Sequence, residues 1–453
     1  MTFFARNASG RSFRIFDGKR IIQFMILGID ASQANRKIRS GTEWYAFYLI
    51  QEFKKMLGDR GDLKVKLYTR DVLQSDLEDN LPENFEVRIL KWPFVYFWGQ
   101  LRLSWEMIVN RPDVLFCPAH TIPLIHPKRT FTTLHDVGFK DCPELYDKLS
   151  LWYHRFSAWL AVKKAEHIFT VSEFSKQRII ANYDCEPNKI TVTHLGVPPL
   201  PNPPPQGEGN TKASSSPLRG EDKGGGDSTL QDLGLKAANY ILYVGRLEPK
   251  KNILNMIKGY EMSGLGMPLV LAGRKVQIDD VESYLHQRPE LKTRIRFLNY
   301  VSETDKDALY RGAAIFLFAT LYEGFGLPIL EAQATKTPVI TSNTASNPEI
   351  AGGGAVLVNP NNPQEIAESI RQIVSNNILR EQVIALGTEN VKRFNWPATA
   401  QNTWKILSKY KIYAKHINPG AELRKRFAAL VSASKKARFS GFSGSTEPVN
   451  LRP

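Results

Sequence analysis

Short apolar runs alternate with segments of helical periodicity along most of this chain. In the first half the runs have the length and composition of buried strands. They cover residues 21–29, 65–68, 87–90, 114–117, 130–134, 167–171 and 190–194. The segments between them, such as 43–55 and 149–165, carry apolar residues at helical spacing. Strands that alternate with helices predict a doubly wound α/β domain built on a parallel sheet.

A second alternation of the same kind follows a stretch that breaks the pattern. Residues 198–227 contain seven prolines, six glycines, three consecutive serines and no aromatic residue, so they cannot bury enough apolar surface to fold. Beyond them, strands are predicted at 240–244, 269–272, 295–298, 315–319, 339–341 and 355–358, with helices that include 253–260, 303–311 and 327–335. Two Rossmann-like domains are therefore predicted to face each other across a cleft, with ligands bound at the carboxyl ends of the strands.

The pattern also predicts the boundaries of the segments. They are a basic N-terminal extension (1–20), an N-terminal domain (21–197), a Pro/Gly/Ser-rich linker or insertion (198–230), a C-terminal domain (231–395), a C-terminal helix expected to pack back on the N-terminal domain (396–413) and a basic tail expected to be disordered (414–453).

The formal net charge of +15 is concentrated at the two ends of the chain. Residues 1–20 carry +4 and residues 414–453 carry +6, which leaves +5 for the rest. A high net charge alone would suggest a nucleic acid or an anionic membrane as partner. Because the body is nearly balanced and has no basic-aromatic recognition module, we expect no nucleic-acid partner.

Three cysteines, Cys117, Cys142 and Cys185, are too few and too irregularly spaced for a disulfide framework or a zinc site. Reduced thiols are typical of a cytosolic protein. The first 20 residues lack the continuous apolar segment of a signal peptide, and the longest apolar stretches fall well short of the ~18 residues of a membrane-spanning helix. These features predict a cytoplasmic protein.

The strongest chemical signal is the segment 322–332, which follows an apolar strand and opens a helix. Gly324 and Gly326 allow close approach of the backbone to a ligand, and Pro328 suits a first helical turn, so the amides there form an anion site. Glu323 and Glu331 would repel a phosphate unless each carboxylate faces something else, and sugar hydroxyls are suitable donors. The arrangement therefore predicts a ligand with a diphosphate between hydroxyl-rich groups, that is, a nucleotide sugar.

A second signal, the segment 243–252, follows the first strand of the second half. Arg246 offers a planar fork and Lys251 a compact charge, which are complementary ways of holding a diphosphate. Both side chains could also stabilise the charge that develops on a leaving group.

These motifs resemble those of glycosyltransferase family 4. The resemblance rests on Glu323 and Glu331 at their spacing, on GRLEPKKN at 245–252, on NPEIAG at 347–352 and, in the first half, on LHDVGF at 134–139 and TVSEFSK at 170–176. It covers residues 25–410 apart from the insertion. It implies the GT-B fold, with an acceptor domain first and a nucleotide-sugar domain second, and a retaining, metal-independent and mannosyltransferase-like activity.

The resemblance also implies roles for residues of the second half. Arg246 and Lys251 would hold the donor diphosphate, and Glu323 would bind donor-sugar hydroxyls near the reacting carbon. The amides of Phe325, Gly326 and Leu327 would back the sugar and the phosphates. Glu331 would take the ribose hydroxyls.

In the first half, His135 would reach the donor sugar from the opposite domain. Gly41 and Thr42 would form a loop against the phosphates, although this loop has a single glycine where many relatives have two in succession. The catalytic set that the resemblance implies consists of four residues, His135, Glu323, Arg246 and Lys251. Retention in this family is attributed to attack on the face from which the phosphate leaves, so that no protein nucleophile is required.

No cofactor and no metal are expected, since the nucleotide sugar is a substrate. Asp305 and Asp307 have the spacing of a metal-binding pair, but they follow Ser302 and fit a capped helix start better. The predicted function is transfer of mannose from GDP-mannose to a saccharide or a lipid-linked saccharide in cell-surface glycan synthesis. The alternatives are a GT-B sugar-nucleotide epimerase or hydrolase, and a non-catalytic GT-B binding protein.

Two aromatic-rich stretches, residues 91–105 and 149–164, raise the question of a membrane. Aromatics with flanking basic residues suit a membrane interface, and the basic tails would add attraction to an anionic leaflet. The spacing of Trp152, Phe156 and Trp159 is also that of a core helix. Core packing is the preferred explanation, with peripheral association at the inner face of the membrane as the alternative.

Overall fold

The computed structural model describes residues 3–6, 12–16, 20–94, 97–198 and 227–410 of the 453-residue chain. Most of the predicted linker and the whole of the basic tail 414–453 lie outside the described residues. By its contacts the range 26–410 forms one compact unit, and the described strands of the N-terminal segment belong to a separate unit.

Three short strands lie in the N-terminal segment. They are β1 (Phe3–Arg6), β2 (Ser12–Phe16) and β3 (Arg20–Gln23), and they form an antiparallel sheet in the order β1-β2-β3. The single strand predicted at 21–29 is therefore wrong, because the chain leaves one strand at Gln23 and enters the next at Met25.

The N-terminal lobe, residues 26–198, contains a parallel sheet of seven strands in the order β10-β9-β8-β7-β4-β5-β6. The strands are β4 (Met25–Asp30), β5 (Leu63–Thr69), β6 (Phe85–Ile89), β7 (Val114–Cys117), β8 (Thr130–Thr133), β9 (His167–Thr170) and β10 (Ile190–Val192). The helices are α1 (Gly41–Leu57), α2 (Ser75–Glu78), α3 (Leu103–Val109), α4 (Gly138–Asp141), α5 (Lys148–Lys164) and α6 (Glu173–Tyr183). A π-helical turn, Trp98–Arg102, runs directly into α3.

The C-terminal lobe, residues 227–395, contains a parallel sheet of six strands in the order β13-β12-β11-β14-β15-β16. The strands are β11 (Ile241–Val244), β12 (Leu269–Ala272), β13 (Ile295–Leu298), β14 (Ile315–Phe318), β15 (Val339–Ser342) and β16 (Val356–Val358). The helices are α7 (Asp227–Asp232), α8 (Ile253–Ser263), α9 (Asp279–His286), α10 (Pro289–Arg294), α11 (Glu303–Gly312), α12 (Leu327–Ala334), α13 (Asn347–Ala351), α14 (Pro363–Ser375) and α15 (Asn377–Val391).

Both sheets reverse their strand order once, and ligands of such folds bind where the order reverses. The reversal lies between β4 and β7 in one lobe and between β11 and β14 in the other. The central strands β11, β12 and β14 are buried along their whole length, as their uninterrupted apolar sequences predict for a sheet covered by helices on both faces. The predicted two-sheet α/β architecture is confirmed.

The chain crosses between the lobes twice, at adjacent points. Residues 194–197 leave the N-terminal lobe, and Thr399 of the last helix, α16 (Trp396–Leu407), donates a hydrogen bond to the carbonyl of His194 at 2.5 Å. Gly196 lies so close to Trp396 that a Cβ atom would overlap its backbone. Helix α16 packs on α1, where the rings of Trp396 and Tyr48 stack with centroids 5.1 Å apart.

Several local features differ from the predictions or complete them. Helix α7 begins at Asp227, inside the range 198–230 assigned to the linker, because Leu230 is buried in the C-terminal core. All three cysteines are free thiols. Core packing is the wrong explanation for Trp152 and Trp159, which are 60% and 47% exposed.

None of the helices in the described ranges combines the length and the apolar character that crossing a bilayer requires.

Candidate active site

An ion pair between Lys251 and Glu323 lies at the reversal point of the C-terminal sheet. Lys251 ends a short 3-10 turn after β11, and Glu323 belongs to the loop between β14 and α12. The Lys251 Nζ donates to Glu323 Oε1 at 2.5 Å, and each side chain is only 13% exposed. The two residues that the sequence singled out for a diphosphate and for sugar hydroxyls therefore occupy one half-buried position.

Arg246 lies two residues beyond the end of β11, the strand that also leads to Lys251, and its side chain is 52% exposed. Its guanidinium is 3.6 Å from Glu248 Oε1, while its carbonyl accepts a hydrogen bond from the hydroxyl of Tyr243 at 3.0 Å. Burial raises the pKa of Tyr243 well above its ordinary value, and the negative charges of Glu323 and Glu248 raise it further. Arg246 thus shares one set of neighbours with Glu323.

The loop that carries Glu323 is held by serine hydroxyls on its carbonyl groups. Ser346 Oγ donates to the carbonyls of Glu323 and Phe325 at 2.9 and 2.8 Å. Gly326 has a φ of 103°, which glycine tolerates, and it forms the N-cap of α12, which starts at Leu327. Since the first N–H groups of a helix have no partner within the helix, the amides of this turn suit an anion.

Two serines of the N-terminal lobe reach the same loop across the cleft. Ser172 Oγ and Ser175 Oγ lie 2.7 and 3.1 Å from the carbonyl oxygen of Gly324, and Ser175 Oγ also donates to the carbonyl of His135 at 3.0 Å. The loop with Glu323 and the backbone of His135 are therefore tied together by one side chain. The sequence contained these serines in its 170–176 motif but did not indicate this role.

His135 follows β8 and is buried beneath the ring of Tyr45, whose centroid is 4.8 Å away. Its Nε2 lies 3.0 Å from the carbonyl oxygen of Pro118, so this nitrogen carries the proton and Nδ1 keeps its lone pair. Burial lowers the pKa of His135, against the opposing effects of that hydrogen bond and of Asp136. The imidazole is therefore neutral, and its Nδ1 has a lone pair with which it can accept a hydrogen bond from a ligand.

Asp136 of the N-terminal lobe and Lys250 of the C-terminal lobe attract each other electrostatically, which the sequence did not reveal. Burial raises the pKa of Asp136, but Lys250 and His120 outweigh it, and the pKa lies below its ordinary value. Conversely, Asp136 is the largest contribution that raises the pKa of Lys250 against burial. Both groups therefore stay charged. The sequence motif pointed to Lys251 and gave no separate role to the neighbouring Lys250.

Glu331 lies about one turn along α12 and forms a second charged cluster. Its Oε1 accepts from Lys306 Nζ at 2.8 Å and its Oε2 from the hydroxyl of Tyr310 at 2.9 Å. The repulsion expected between phosphate and the two glutamates is thus relieved by protein lysines, Lys251 for one and Lys306 for the other, and not by sugar hydroxyls alone. Each carboxylate oxygen still has a lone pair for a ligand donor.

Gly41 and Thr42 are the first two residues of helix α1, so the expected loop there is wrong. The helix begins early because Glu43 accepts a hydrogen bond from the Ser40 amide at 3.2 Å, as in a capping box. One turn further, Tyr45 packs on His135. The start of α1 therefore lies beside His135 and offers helix-terminal amides.

The segment with Asp305 and Asp307 is the capped helix start that the sequence predicted. Ser302 Oγ accepts from the amide of Asp305 at 3.1 Å, and Asp307 pairs with Arg311 at 2.8 Å. Within the described ranges no group of three or more His, Cys, Asp or Glu side chains is arranged to hold a metal ion.

Comparisons with known proteins identify the family to which this chain belongs. Residues 39–199 match the family model described as Glycosyltransferase Family 4, and residues 229–389 match that described as Glycosyl transferases group 1. The O-antigen chain mannosyltransferase B of Escherichia coli is 33% identical over 289 residues, which span 62% of this chain and 71% of that protein. The O-antigen chain mannosyltransferase RfbU of Salmonella typhimurium is 27% identical over 299 residues, 66% of this chain and 74% of that protein.

Among solved structures, sucrose-phosphate synthase from Thermosynechococcus elongatus superimposes with a TM-score of 0.64 at 16% identity, covering 85% of this chain and 98% of that one. At this identity the likeness concerns the fold, which is GT-B. The two family models together account for both lobes. This chain therefore belongs to glycosyltransferase family 4 and is a glycosyltransferase with the GT-B fold.

Proposed function

We propose that this glycosyltransferase moves mannose from GDP-mannose to a saccharide or a lipid-linked saccharide during cell-surface glycan synthesis, with retention of configuration and without a metal ion. The observation that carries the proposal is the half-buried Lys251–Glu323 pair, which lies with Arg246 at the sheet's reversal point and across the cleft from His135. The choice of mannose is supported by the two O-antigen chain mannosyltransferases that this chain resembles.

When the donor binds, Lys251 and Glu323 each replace the other with a group of the donor. The diphosphate takes the ammonium of Lys251 and the exposed guanidinium of Arg246, and the amides of Phe325, Gly326 and Leu327 add donors. Glu323, released from Lys251, accepts hydrogen bonds from the hydroxyls of the donor sugar. Because the site already holds balanced charges in a half-buried position, little reorganisation is needed when the leaving group becomes negative.

The neutral ring of His135 holds the sugar from the other lobe, since its Nδ1 accepts a hydroxyl proton. The start of α1, at Gly41 and Thr42, lies beside it and contacts the phosphates. At the nucleoside end, Glu331 accepts from the ribose hydroxyls while Lys306 and Tyr310 keep its carboxylate oriented.

In the transfer step the acceptor oxygen forms a bond to the anomeric carbon as the bond from that carbon to the diphosphate oxygen breaks. Attack comes from the face that the phosphate leaves, and the leaving diphosphate takes the acceptor's proton. The protein orients the two substrates and stabilises the developing charge with Arg246 and Lys251. These two cations do the work that a metal ion does elsewhere.

The proposal is tested by a thermal-shift panel of nucleotide sugars, followed by transfer assays. GDP-mannose is expected to raise the unfolding temperature most, because a ligand that binds only the folded state stabilises it. Glu323→Gln should lower kcat by about 10²–10³-fold, the usual cost of losing one stabilising group. The control, Glu389→Gln, removes the carboxylate of an exposed pair with Lys392 and should change nothing.

Other outcomes would replace parts of the proposal. Preferential stabilisation by a different nucleotide sugar contradicts the assignment of GDP-mannose as donor. A product whose NMR spectrum shows the inverted anomeric configuration contradicts retention. Loss of transfer in a chelator, restored by a divalent metal, contradicts metal independence. Release of free sugar and nucleotide without an acceptor supports the epimerase or hydrolase, and unchanged transfer by Glu323→Gln supports a site elsewhere.

A further inference from the structure

Two neighbouring helices of the N-terminal lobe each expose a second apolar face. Along the π-helical turn and α3, Leu101, Trp105 and Ile108 point outward at spacings of four and three residues, whereas Leu103 and Met107 point into the core. A globular helix usually has one apolar stripe, so a second, exposed stripe calls for a separate explanation.

Helix α5 repeats this arrangement. Its residues Ala158 and Ala161 are buried, but Leu149, Trp152 and Trp159 lie on the opposite side, exposed at 76%, 60% and 47%. The ring of Phe156 stacks on both tryptophans, with centroids 5.7 and 6.2 Å apart. The result is a continuous row of aromatic rings along the outer face of the helix.

The two elements that carry these rows are neighbours that pack on one core cluster. Gln100, in the turn before α3, donates to the hydroxyl of Tyr153 on α5 at 2.7 Å. Phe156 packs against the same core cluster as Trp98 and Leu103. We call this surface, formed by the outer faces of residues 98–109 and of α5, the aromatic face.

Helix α5 adds positive charge to the aromatic face, and the acidic residue at its start is the N-cap Asp147. Helix α5 carries four basic residues, all exposed, and no acidic residue within its length; the basic residues are Lys148, Arg155, Lys163 and Lys164. The acidic residue of α3, Glu106, is buried and paired with Arg88 and Arg102 at 3.3 and 3.5 Å. Exposed indole rings interspersed with the basic residues of α5 match the interface of an anionic bilayer, where indole rings lie at headgroup level.

We propose that the aromatic face docks this enzyme on an anionic phospholipid surface, with Trp105, Trp152 and Trp159 inserted at the headgroup level and the basic residues of α5 against the lipid phosphates. A purely charged patch would not need the indole rings. An interface with a second copy of this chain is disfavoured, because a symmetric contact through α5 would bring its four basic residues close to those of the other copy.

The test is co-sedimentation of the full chain with phosphatidylcholine vesicles and with vesicles that also contain phosphatidylglycerol. The wild-type protein should sediment with the anionic vesicles only. The triple variant Trp105→Ser, Trp152→Ser, Trp159→Ser should bind them about tenfold more weakly or worse, since both the apolar area and the charge contribute. Arg155→Gln with Lys163→Gln and Lys164→Gln should show a similar loss.

The control variant Ile378→Ser changes a residue of α15 in the other lobe that is 81% exposed, and it should bind like the wild type. All variants keep the basic tails, so binding by the tails is the same in each. Thermal stabilisation by a nucleotide sugar should be unchanged in the triple variant, which separates failure of docking from failure of the proposed transfer.

Two results would overturn the proposal. One is undiminished binding of the triple variant to anionic vesicles, which would assign lipid binding to another part of the chain. The other is a dimer of the wild-type chain, without lipid, that the tryptophan substitutions convert to monomer, which would make the aromatic face a contact between copies.

Discussion

Gly324 lies where the loop of the C-terminal lobe meets the backbone of the opposite lobe. A Cβ atom at this position would be 2.7 Å from the Cβ of Asp136 and 2.8 Å from the carbonyl oxygen of His135, closer than side-chain carbons come to such atoms. The neighbouring carbonyl is the one that Ser172 and Ser175 hold. Because Gly324 has no side chain, the loop that carries Glu323 can lie directly against the other lobe.

We expect Gly324→Ala to reduce kcat/KM by about 10²-fold, since a displacement of about 1 Å between reacting groups has that cost. The matched control is Gly266→Ala, where a Cβ would meet nothing within 4 Å and the backbone is unstrained. Steady-state kinetics and thermal unfolding of both variants check this. Wild-type kinetics in Gly324→Ala would show that the contact does not contribute to transfer.

At this scale the sequence predicted the residues with recognisable motifs but not their protein partners. Glu323 and Lys251 were identified, and they do meet, although 72 residues separate them. Lys306 and Lys250 were not, because a lysine beside an acid or beside another lysine is commonplace on a surface. The ion pair of Lys306 with Glu331 and the attraction between Lys250 and Asp136 depend on how the helices and lobes pack.

Helix α6 is capped from both lobes. Ser172 Oγ accepts from the amide of Ser175 at 3.0 Å, and Glu349 of α13 accepts from the amides of Glu173 and Phe174 at 2.9 and 3.1 Å. Burial raises the pKa of Glu349, but His194 and these two amides outweigh it and lower the pKa. The first turn of α6 therefore binds a carboxylate of the other lobe.

We expect Ser172→Ala to lower both the free energy of unfolding, by about 1 kcal/mol, and transfer activity. The first effect is the usual cost of a lost N-cap. The second follows because the same hydroxyl holds Gly324. Asn376→Ala removes an N-cap of α15 remote from the cleft and should lower stability alone. Steady-state transfer kinetics and denaturant unfolding of both variants check this. Equal transfer kinetics in the two variants would contradict the positioning role of Ser172.

Helical periodicity shows here what it can and cannot determine. The spacing of Trp152, Phe156 and Trp159 predicted a helix with an apolar face, and α5 has one. The same spacing favoured a core position, which is wrong for both tryptophans, because α5 has a second apolar face at Ala158 and Ala161 that packs inward. Which of the two apolar faces of such a helix is buried depends on the elements that pack against it.

Across the whole molecule, the cleft brings several histidines close to Lys250. Burial lowers the pKa of His120 to about 3, and the neighbouring His135 and Lys250 contribute. Burial also lowers the pKa values of His135 and His154. His120, His135 and His154 belong to one lobe and Lys250 to the other, so the effect depends on both lobes.

We expect the protein to become less stable as the pH falls from 7 to 5. Below about pH 6.5 the unfolded chain binds protons at these histidines that the folded chain does not, and this favours unfolding. His120 alone should account for up to about 2 kcal/mol at pH 5. Denaturant unfolding at pH 7 and at pH 5 measures this loss of stability.

His120→Asn should reduce this loss of stability, and His286→Asn, at an exposed position of α9, should leave it unchanged. An equal loss at pH 5 in the wild type and in His120→Asn would contradict the assignment to the cleft.

The amino-acid sequence by itself determined most of the elements, the two parallel sheets and the loops that follow their strands, where we propose that the donor binds. These follow from local patterns: uninterrupted apolar runs give buried strands, and the carboxyl ends of parallel strands share one edge. The tertiary structure alone decided which charges meet across the cleft, that Glu331 pairs with Lys306, and that the rings of α3 and α5 remain on the surface. Those outcomes depend on contacts between residues far apart in the chain, which no local pattern encodes.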